Sequence, residues 1–161
     1  GLYAAIGVLS KGQLVEVDRS GLVAGYVGQT AGKVTEAVQS ALGGILFIDE
    51  AYALARKGMD NDFGREAIDT LVKLMEDNRD DLVVIVAGYT DEMHDFLTSN
   101  PGLISRFNKY IDFLKCGDSK SPLESLLVAG IDMTKPEVVT GAIEDFAEAI
   151  RQFREIYQNK K

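Results

Sequence analysis

Two stretches of this 161-residue chain, Ile45 to Ile48 (ILFI) and Leu82 to Ala87 (LVVIVA), are apolar at every position. A strand with one face in water alternates apolar and polar residues, so an unbroken run rich in Val and Ile predicts a strand buried on both faces, as in parallel sheets. Between them, Gly64 to Glu76 carries Ala67, Ile68, Leu71, Leu74 and Met75 at helical spacing, a stripe suited to packing on a core. The fold class these features predict is α/β, a parallel sheet covered by helices.

The remaining segments extend this pattern. Gly1 to Leu9 is apolar and reads as a helix, Lys11-Gly12 as a turn, and Leu14 to Asp18 as an alternating strand. Gly21 to Gly32 is a glycine-rich loop with one aromatic residue, Tyr26. From Thr30 or Lys33 to Ala41, the spacing of Val34, Ala37, Val38 and Ala41 is helical, and Gly43-Gly44 stops that helix before Ile45. A polar stretch is expected from Glu50 to Asp62, a turn from Asn78 to Asp81, a short helix around Glu92 to Leu97, and a further strand from Lys109 to Phe113.

The composition shifts near Leu114. Ser121-Pro122-Leu123-Glu124 is a capping box with proline at the first helical position, and Gly130 predicts the end of that short helix. Thr134-Lys135-Pro136-Glu137 repeats the signature ahead of Ile143, Phe146, Ile150, Phe153 and Tyr157. Two domains are therefore expected, an α/β core over 1–113 and a helical tail over 114–161.

The hydrophobic fraction of 46% with 26% charged residues is that of a globular chain, and the net charge of −8 opposes attraction to nucleic acid or an anionic membrane. No apolar run approaches the roughly 20 residues of a membrane span. Cys116 is the one cysteine, which permits no internal disulfide and suits a reducing, cytoplasmic compartment. Gly1-Leu2-Tyr3 has neither the basic start of a signal peptide nor an initiating Met, as expected of a sequence that begins inside a longer one.

Chemistry concentrates where the first buried run ends, at Asp49 and Glu50. A parallel strand delivers such residues to the carboxyl edge of its sheet. There the first carboxylate can hold Mg²⁺ through water and the second can polarise an attacking water. A phosphate cradle of the form G-x-x-x-x-G-K-[ST] does not accompany them. In Gly28 to Val34 the glycines are one residue too close and Val34 lacks a hydroxyl, while Gly7 to Gly12 is followed by Gln13 and Leu14. His94 is the one histidine, which excludes a two-histidine metal site and reads as a solvated helix residue. Asp60-Asn61-Asp62 fails the calcium-loop spacing, Cys116 has no histidine beside it, and Tyr26 between glycines fits an exposed turn.

The pieces VEVDRSGLVAGYVGQTAGKV, GGILFIDEAYAL, EAIDTLVKLMEDNRDDLVVIVAGY and SNPGLISRF, in that order from Gly7 to Phe113, closely resemble the AAA+ ATPases of the CbbX and stage V sporulation protein K type. The resemblance implies that Asp49 and Glu50 are the Walker B pair, with Asp49 holding Mg²⁺ through water when nucleotide is bound. It implies that Tyr26, Val27 and Gly28 grip a polypeptide in the pore of a homo-hexamer. It also makes Arg106 the arginine finger that reaches a neighbour's γ-phosphate, although Ile104 stands where the family often has a second basic residue. Tyr89 or Thr90 stands at the family's sensor position. In that family the sheet order is five, one, four, three, two, with the P-loop strand in the middle.

From about Tyr110 onward, the pieces FLKCGDSKSP and AGIDMTKPE resemble instead the carboxyl end of oligoendopeptidase F metallopeptidases, without the family's H-E-x-x-H zinc motif. The resulting expectation is a truncated or chimeric AAA+ core without its P-loop strand, joined to a C-terminal helical appendage. Three parallel strands would start near Leu14, Ile45 and Leu82, with the Tyr110 strand entering the gap or staying loose. ATP and Mg²⁺ belong to the parent family. For this chain the expectation is no cofactor, no ATP hydrolysis by itself, and a monomer or irregular oligomer. The alternative is an active fragment of a hexameric remodelling ATPase whose P-loop lies in a longer parent.

Overall fold

The computed structural model describes residues 10–56, 63–107, 109–113 and 124–129. Strand β1 (Leu14–Val17) leads through helix α1 (Arg19–Leu22) and helix α2 (Thr30–Ala41) to β2 (Ile45–Ile48). A 3₁₀ segment (Ala51–Ala55) and helix α3 (Phe63–Asp77) then lead to β3 (Val83–Tyr89). Helices α4 (Thr90–Thr98) and α5 (Pro101–Arg106) follow, then β4 (Lys109–Phe113) and β5 (Glu124–Ala129). The sheet order is β1-β2-β3-β5-β4.

β1, β2 and β3 are parallel, in the register Leu14↔Ile45↔Val83. β2 is buried throughout and β3 from Val83 to Gly88, which is why both were apolar without alternation. β1 alternates exposed and half-buried residues because it pairs with β2 alone among the described strands. Helix α2 buries Val34, Ala37, Val38 and Ala41, and α3 buries Ala67, Ile68, Leu71 and Met75, against Leu46, Ile48, Val84 and Val86 of the sheet. Met93, Phe96, Leu103 and Phe107 carry the same core under α4 and α5. Among the described residues no helix is long and apolar enough to cross a membrane.

Three expectations are corrected. The capping box at Ser121 predicts a short helix up to Gly130, yet Glu124–Ala129 forms β5, antiparallel to both β3 and β4. The edge of β3 facing away from β2 is a row of buried N–H and C=O groups, and pairing them outweighs a local helix preference worth tenths of a kcal/mol per residue. The Tyr110 strand is neither in the gap nor loose: β4 is the outer strand and pairs with β5. The stretch after Glu50, read as polar, begins with a 3₁₀ turn that buries Ala51, Tyr52 and Leu54. The predicted helices at Gly1 to Leu9 and Thr134 to Tyr157, together with Asp60 to Asp62 and Cys116, lie outside the described residues.

At the amino edge of the sheet a clasp joins the approaches to all three parallel strands. The Ser10 amide and hydroxyl donate to the Asp81 carboxylate at 3.0 and 2.7 Å. The Gly43 amide donates to the Asp81 carbonyl at 2.7 Å, and the Lys11 and Gly12 amides donate to the Gly43 carbonyl. Gly43 has φ 81°, a left-handed value that glycine adopts without penalty. Beside it, a Cβ on Gly44 would collide with the Gln13 carbonyl.

The Ser10 amide first, then its hydroxyl, hold the Asp81 carboxyl below the ordinary aspartate value of 3.8. A carboxyl lowered in the folded state stabilises the fold above its ordinary value, and that contribution fades as pH falls through the lowered one. In urea titrations at a series of pH values, the wild-type advantage over Asp81→Asn should therefore be constant near neutrality and shrink below about pH 4. An advantage independent of pH would show that the clasp does not depend on the charge.

Candidate functional site

The parallel strands point their carboxyl ends at one edge, where Asp18 follows β1, Asp49-Glu50 follows β2, and Tyr89-Thr90 follows β3. The Asp49 amide donates to the Val17 carbonyl at 2.9 Å, carrying the β1–β2 ladder one residue past the strand. Its side chain accepts from the Glu50 amide at 3.0 Å. Asp49 is half-buried and Glu50 is exposed.

Glu50 has φ 50° and ψ 45°, and is the one non-glycine residue with positive φ among those described. For an L-residue this conformation costs about 1–2 kcal/mol, strain of the kind that gathers at functional turns. The following segment keeps it in place. The Ala53 amide donates to the Glu50 carbonyl at 2.9 Å, and the Arg19 guanidinium donates to the Ala53 carbonyl at 2.7 Å. Gly64 at the start of α3 lies so close to the Leu54 carbonyl that a Cβ there would collide with it. Gly88 likewise leaves room for Tyr52 and Met93.

Tyr52 packs beside Tyr89, with ring centroids 6.3 Å apart and planes tilted by 33°, and the Arg56 guanidinium lies 5.6 Å from its ring centre. Burial first, then the charges of Glu50 and Glu92, push the Tyr52 phenol above its ordinary value of 10.0, so it stays protonated. Sequence reading singled out none of Arg19, Tyr52 and Gly64. Their roles exist only once α1, the 3₁₀ turn and α3 meet.

Among the described residues, no group of three His, Cys, Asp or Glu side chains could hold a metal ion. Mg²⁺ is commonly held by one or two carboxylates, with phosphates and waters completing its shell.

Tyr26, Val27 and Gly28 form the tip of the loop between α1 and α2. Tyr26 is 74% and Val27 87% exposed. Gly28 turns the loop with φ 78°. The base is tied down: the Ala24 amide donates to Thr30 Oγ1 at 3.2 Å, and Lys33 Nζ donates to the Ser20 and Val23 carbonyls. Asp18 caps α1 through the Gly21 amide, and the Ser20 hydroxyl, donating at 2.6 Å, lowers its carboxyl below the ordinary value.

Arg106 stands apart from this edge. Helix α3 crosses from the carboxyl end of β2 to the amino end of β3, so its last turn, with Glu76, lies on the amino side of the sheet. Arg106 Nη2 pairs with Glu76 there at 3.3 Å, and Nη1 donates to the Gly102 carbonyl at 3.1 Å. Within one chain, then, Asp49 and Glu50 share the carboxyl edge with the Tyr26 loop, whereas Arg106 faces elsewhere. His94 is exposed on α4.

An α/β sheet with an acidic pair at the carboxyl end of a buried parallel strand is the edge at which open α/β folds bind their ligands. Residues 2–114 match the AAA family, the ATPase family associated with various cellular activities, and the chain belongs to it. It is 56% identical to Stage V sporulation protein K of Bacillus subtilis over 112 residues, which are 70% of this chain and 34% of that protein. It is 50% identical to Protein CbbX of Cereibacter sphaeroides over 74% of this chain and 39% of that protein. With the ESX-1 secretion system protein EccA1 of Mycobacterium tuberculosis it shares 42% over 158 residues, 96% of this chain and 27% of that protein. The chain thus spans between about a quarter and two fifths of these relatives.

The strain at Glu50 has a measurable consequence. Glu50→Gly removes the left-handed penalty but adds unfolded-chain entropy, so the urea midpoint should rise, with a net gain of about 0.5–1 kcal/mol. A loss of stability would mean that the Glu50 side chain contributes contacts that outweigh its strained backbone.

Proposed function

We propose that this chain is a AAA+ module that carries the Walker B carboxylates, the pore loop and the arginine finger of a protein-remodelling ATPase, yet neither binds nor hydrolyses ATP by itself. One observation carries this reading. Asp49 and Glu50 stand at the carboxyl edge of β2, but the position beside β3 is taken by a strand that runs the wrong way to deliver a phosphate-binding turn to that edge. Such a turn must follow a parallel strand so that its amides face the phosphates. The sequence contains no G-x-x-x-x-G-K-[ST].

In this reading Asp49 holds Mg²⁺ through water when nucleotide is supplied, and Glu50, on its strained turn, polarises the attacking water. Arg106 acts on a neighbouring subunit, in keeping with its distance from Asp49 in its own chain. Tyr26 and Val27 contact an extended protein substrate, which accounts for their exposure. A homo-hexamer and ATP with Mg²⁺ belong to the parent assembly; the isolated chain is a monomer or irregular oligomer. The pieces after residue 113 that resemble the oligoendopeptidase F end bring no peptidase activity, since a single histidine supplies no H-E-x-x-H site. The lone cysteine supports a cytoplasmic location.

A second reading, an active piece of a hexameric ATPase with its phosphate loop elsewhere in a longer chain, is favoured by the limited share of each relative that this chain spans.

Isothermal titration with Mg·ATP separates the two readings for the polypeptide itself. No saturable heat is expected up to millimolar nucleotide, and micromolar binding abolished by Asp49→Ala would overturn the first. The loop assignment is tested by fluorescence anisotropy with a labelled unfolded polypeptide. Tyr26→Ala should weaken binding several-fold while changing stability by no more than about 0.5 kcal/mol, as for other exposed sites. Unchanged binding would remove the loop from the substrate path.

A further inference from the structure

Lys33 belongs to the stretch Gly28 to Val34 that falls short of a phosphate loop, and it stands at the start of α2. In a phosphate loop the corresponding lysine reaches the phosphates. Here its ammonium is directed at the protein: Nζ donates to the Ser20 carbonyl at 3.1 Å and to the Val23 carbonyl at 3.3 Å. Lys33 is exposed, and an exposed lysine ordinarily keeps its strongly hydrated ammonium in water.

The two acceptors explain the direction. α1 has four residues, too few to hold a helix by itself in water, and the last carbonyls of any helix have no partner inside it. A lysine that donates to such carbonyls satisfies them and meets the negative end of the helix. On the same face of α2, three residues earlier, Thr30 is fully buried and its Oγ1 accepts from the Ala24 amide at 3.2 Å. α2 thus holds the root of the loop at Ser20, Val23 and Ala24.

Beyond that root the loop has little support. Gly25 to Gln29 are exposed, and the turn at the tip is closed by the Gln29 amide, which donates to the Tyr26 carbonyl at 3.4 Å. Tyr26 and Val27 would leave water if the loop folded back onto the protein's own surface. Offering them to a polypeptide therefore requires a root that fixes where the loop departs from the body. Thr30 fixes it from the buried side at Ala24, and Lys33 fixes it from the exposed side at the end of α1.

We infer that Lys33 is a positioning residue for the Tyr26 loop. By holding the end of α1 it keeps Tyr26 and Val27 presented, and so raises the affinity for an extended polypeptide that it does not itself touch. This inference rests on the substrate-loop reading above.

The test uses the full chain and a peptide of Gly, Ser, Leu and Tyr, blocked at both ends and carrying a neutral BODIPY label, so that loss of the lysine charge does not act on the probe directly. Lys33→Met keeps an apolar stem and removes the donor. In anisotropy titrations Lys33→Met should bind several-fold more weakly than wild type, and Lys33→Arg, which still donates, should recover most of the affinity. In a Tyr26→Ala background Lys33→Met should weaken binding no further, because a positioning residue acts through the group it positions. Amide hydrogens of Ala24 to Gln29 should exchange faster in Lys33→Met, while those of Val38 and Ala41 in α2 keep their rates and show that the fold is intact.

Unchanged binding by Lys33→Met would overturn the inference. So would equal weakening with and without Tyr26, or a Lys33→Arg variant as weak as Lys33→Met. The two readings fail separately. If the wild-type chain does not bind the peptide, or binds it as well after Tyr26→Ala, the loop reading falls and the positioning role falls with it. If Tyr26→Ala abolishes binding and Lys33→Met leaves it intact, the loop reading stands and the role of Lys33 alone is rejected.

Discussion

The structure depends on the need to hydrogen-bond both edges of β3. Six consecutive residues of this strand are buried, so no water reaches its backbone, and each unpaired N–H or C=O there would cost about 1–3 kcal/mol. β2 satisfies one edge in parallel register. The other edge takes up the segment at hand, Glu124–Ala129, although the residues of that segment prefer a helix. The sheet order and the outer place of β4 both follow from this pairing.

A second dependence runs through the carboxyl edge. The turn at Asp49-Glu50 is strained, and it keeps its shape because the 3₁₀ segment behind it is fastened on three sides, by Arg19 from α1, by Gly64 of α3 and by Tyr52 against Gly88 of β3. Arg19 belongs to the short helix that leads to the exposed Tyr26 loop. The acidic turn and the base of the loop are thus joined through Arg19 and its helix.

Much of the core was legible in the sequence because its signals are local and unopposed. The apolar runs of β2 and β3 and the stripes of α2 and α3 each encode one face or two, and the structure reproduces them with shifts of a residue or so at their ends. Asp49 and Glu50 were recognisable because a buried strand ending in acids has one edge to which it can deliver them. The errors occurred where local and long-range terms compete. Glu124–Ala129 carries helix signals that sheet pairing overrides, and the stretch after Glu50 looked polar because its buried residues, Ala51, Tyr52 and Leu54, form too short a turn to show a period.

By itself, the sequence determined the α/β class, the parallel trio of strands, the acidic pair and the AAA membership, since each rests on residue types at short spacing. Only the tertiary structure decided which segment lies beside β3 and in which direction, that Arg106 faces away from Asp49, and that Arg19 supports the acidic turn. Those outcomes depend on backbone groups and side chains far apart in the chain, whose pairing energies arise only when the sheet assembles.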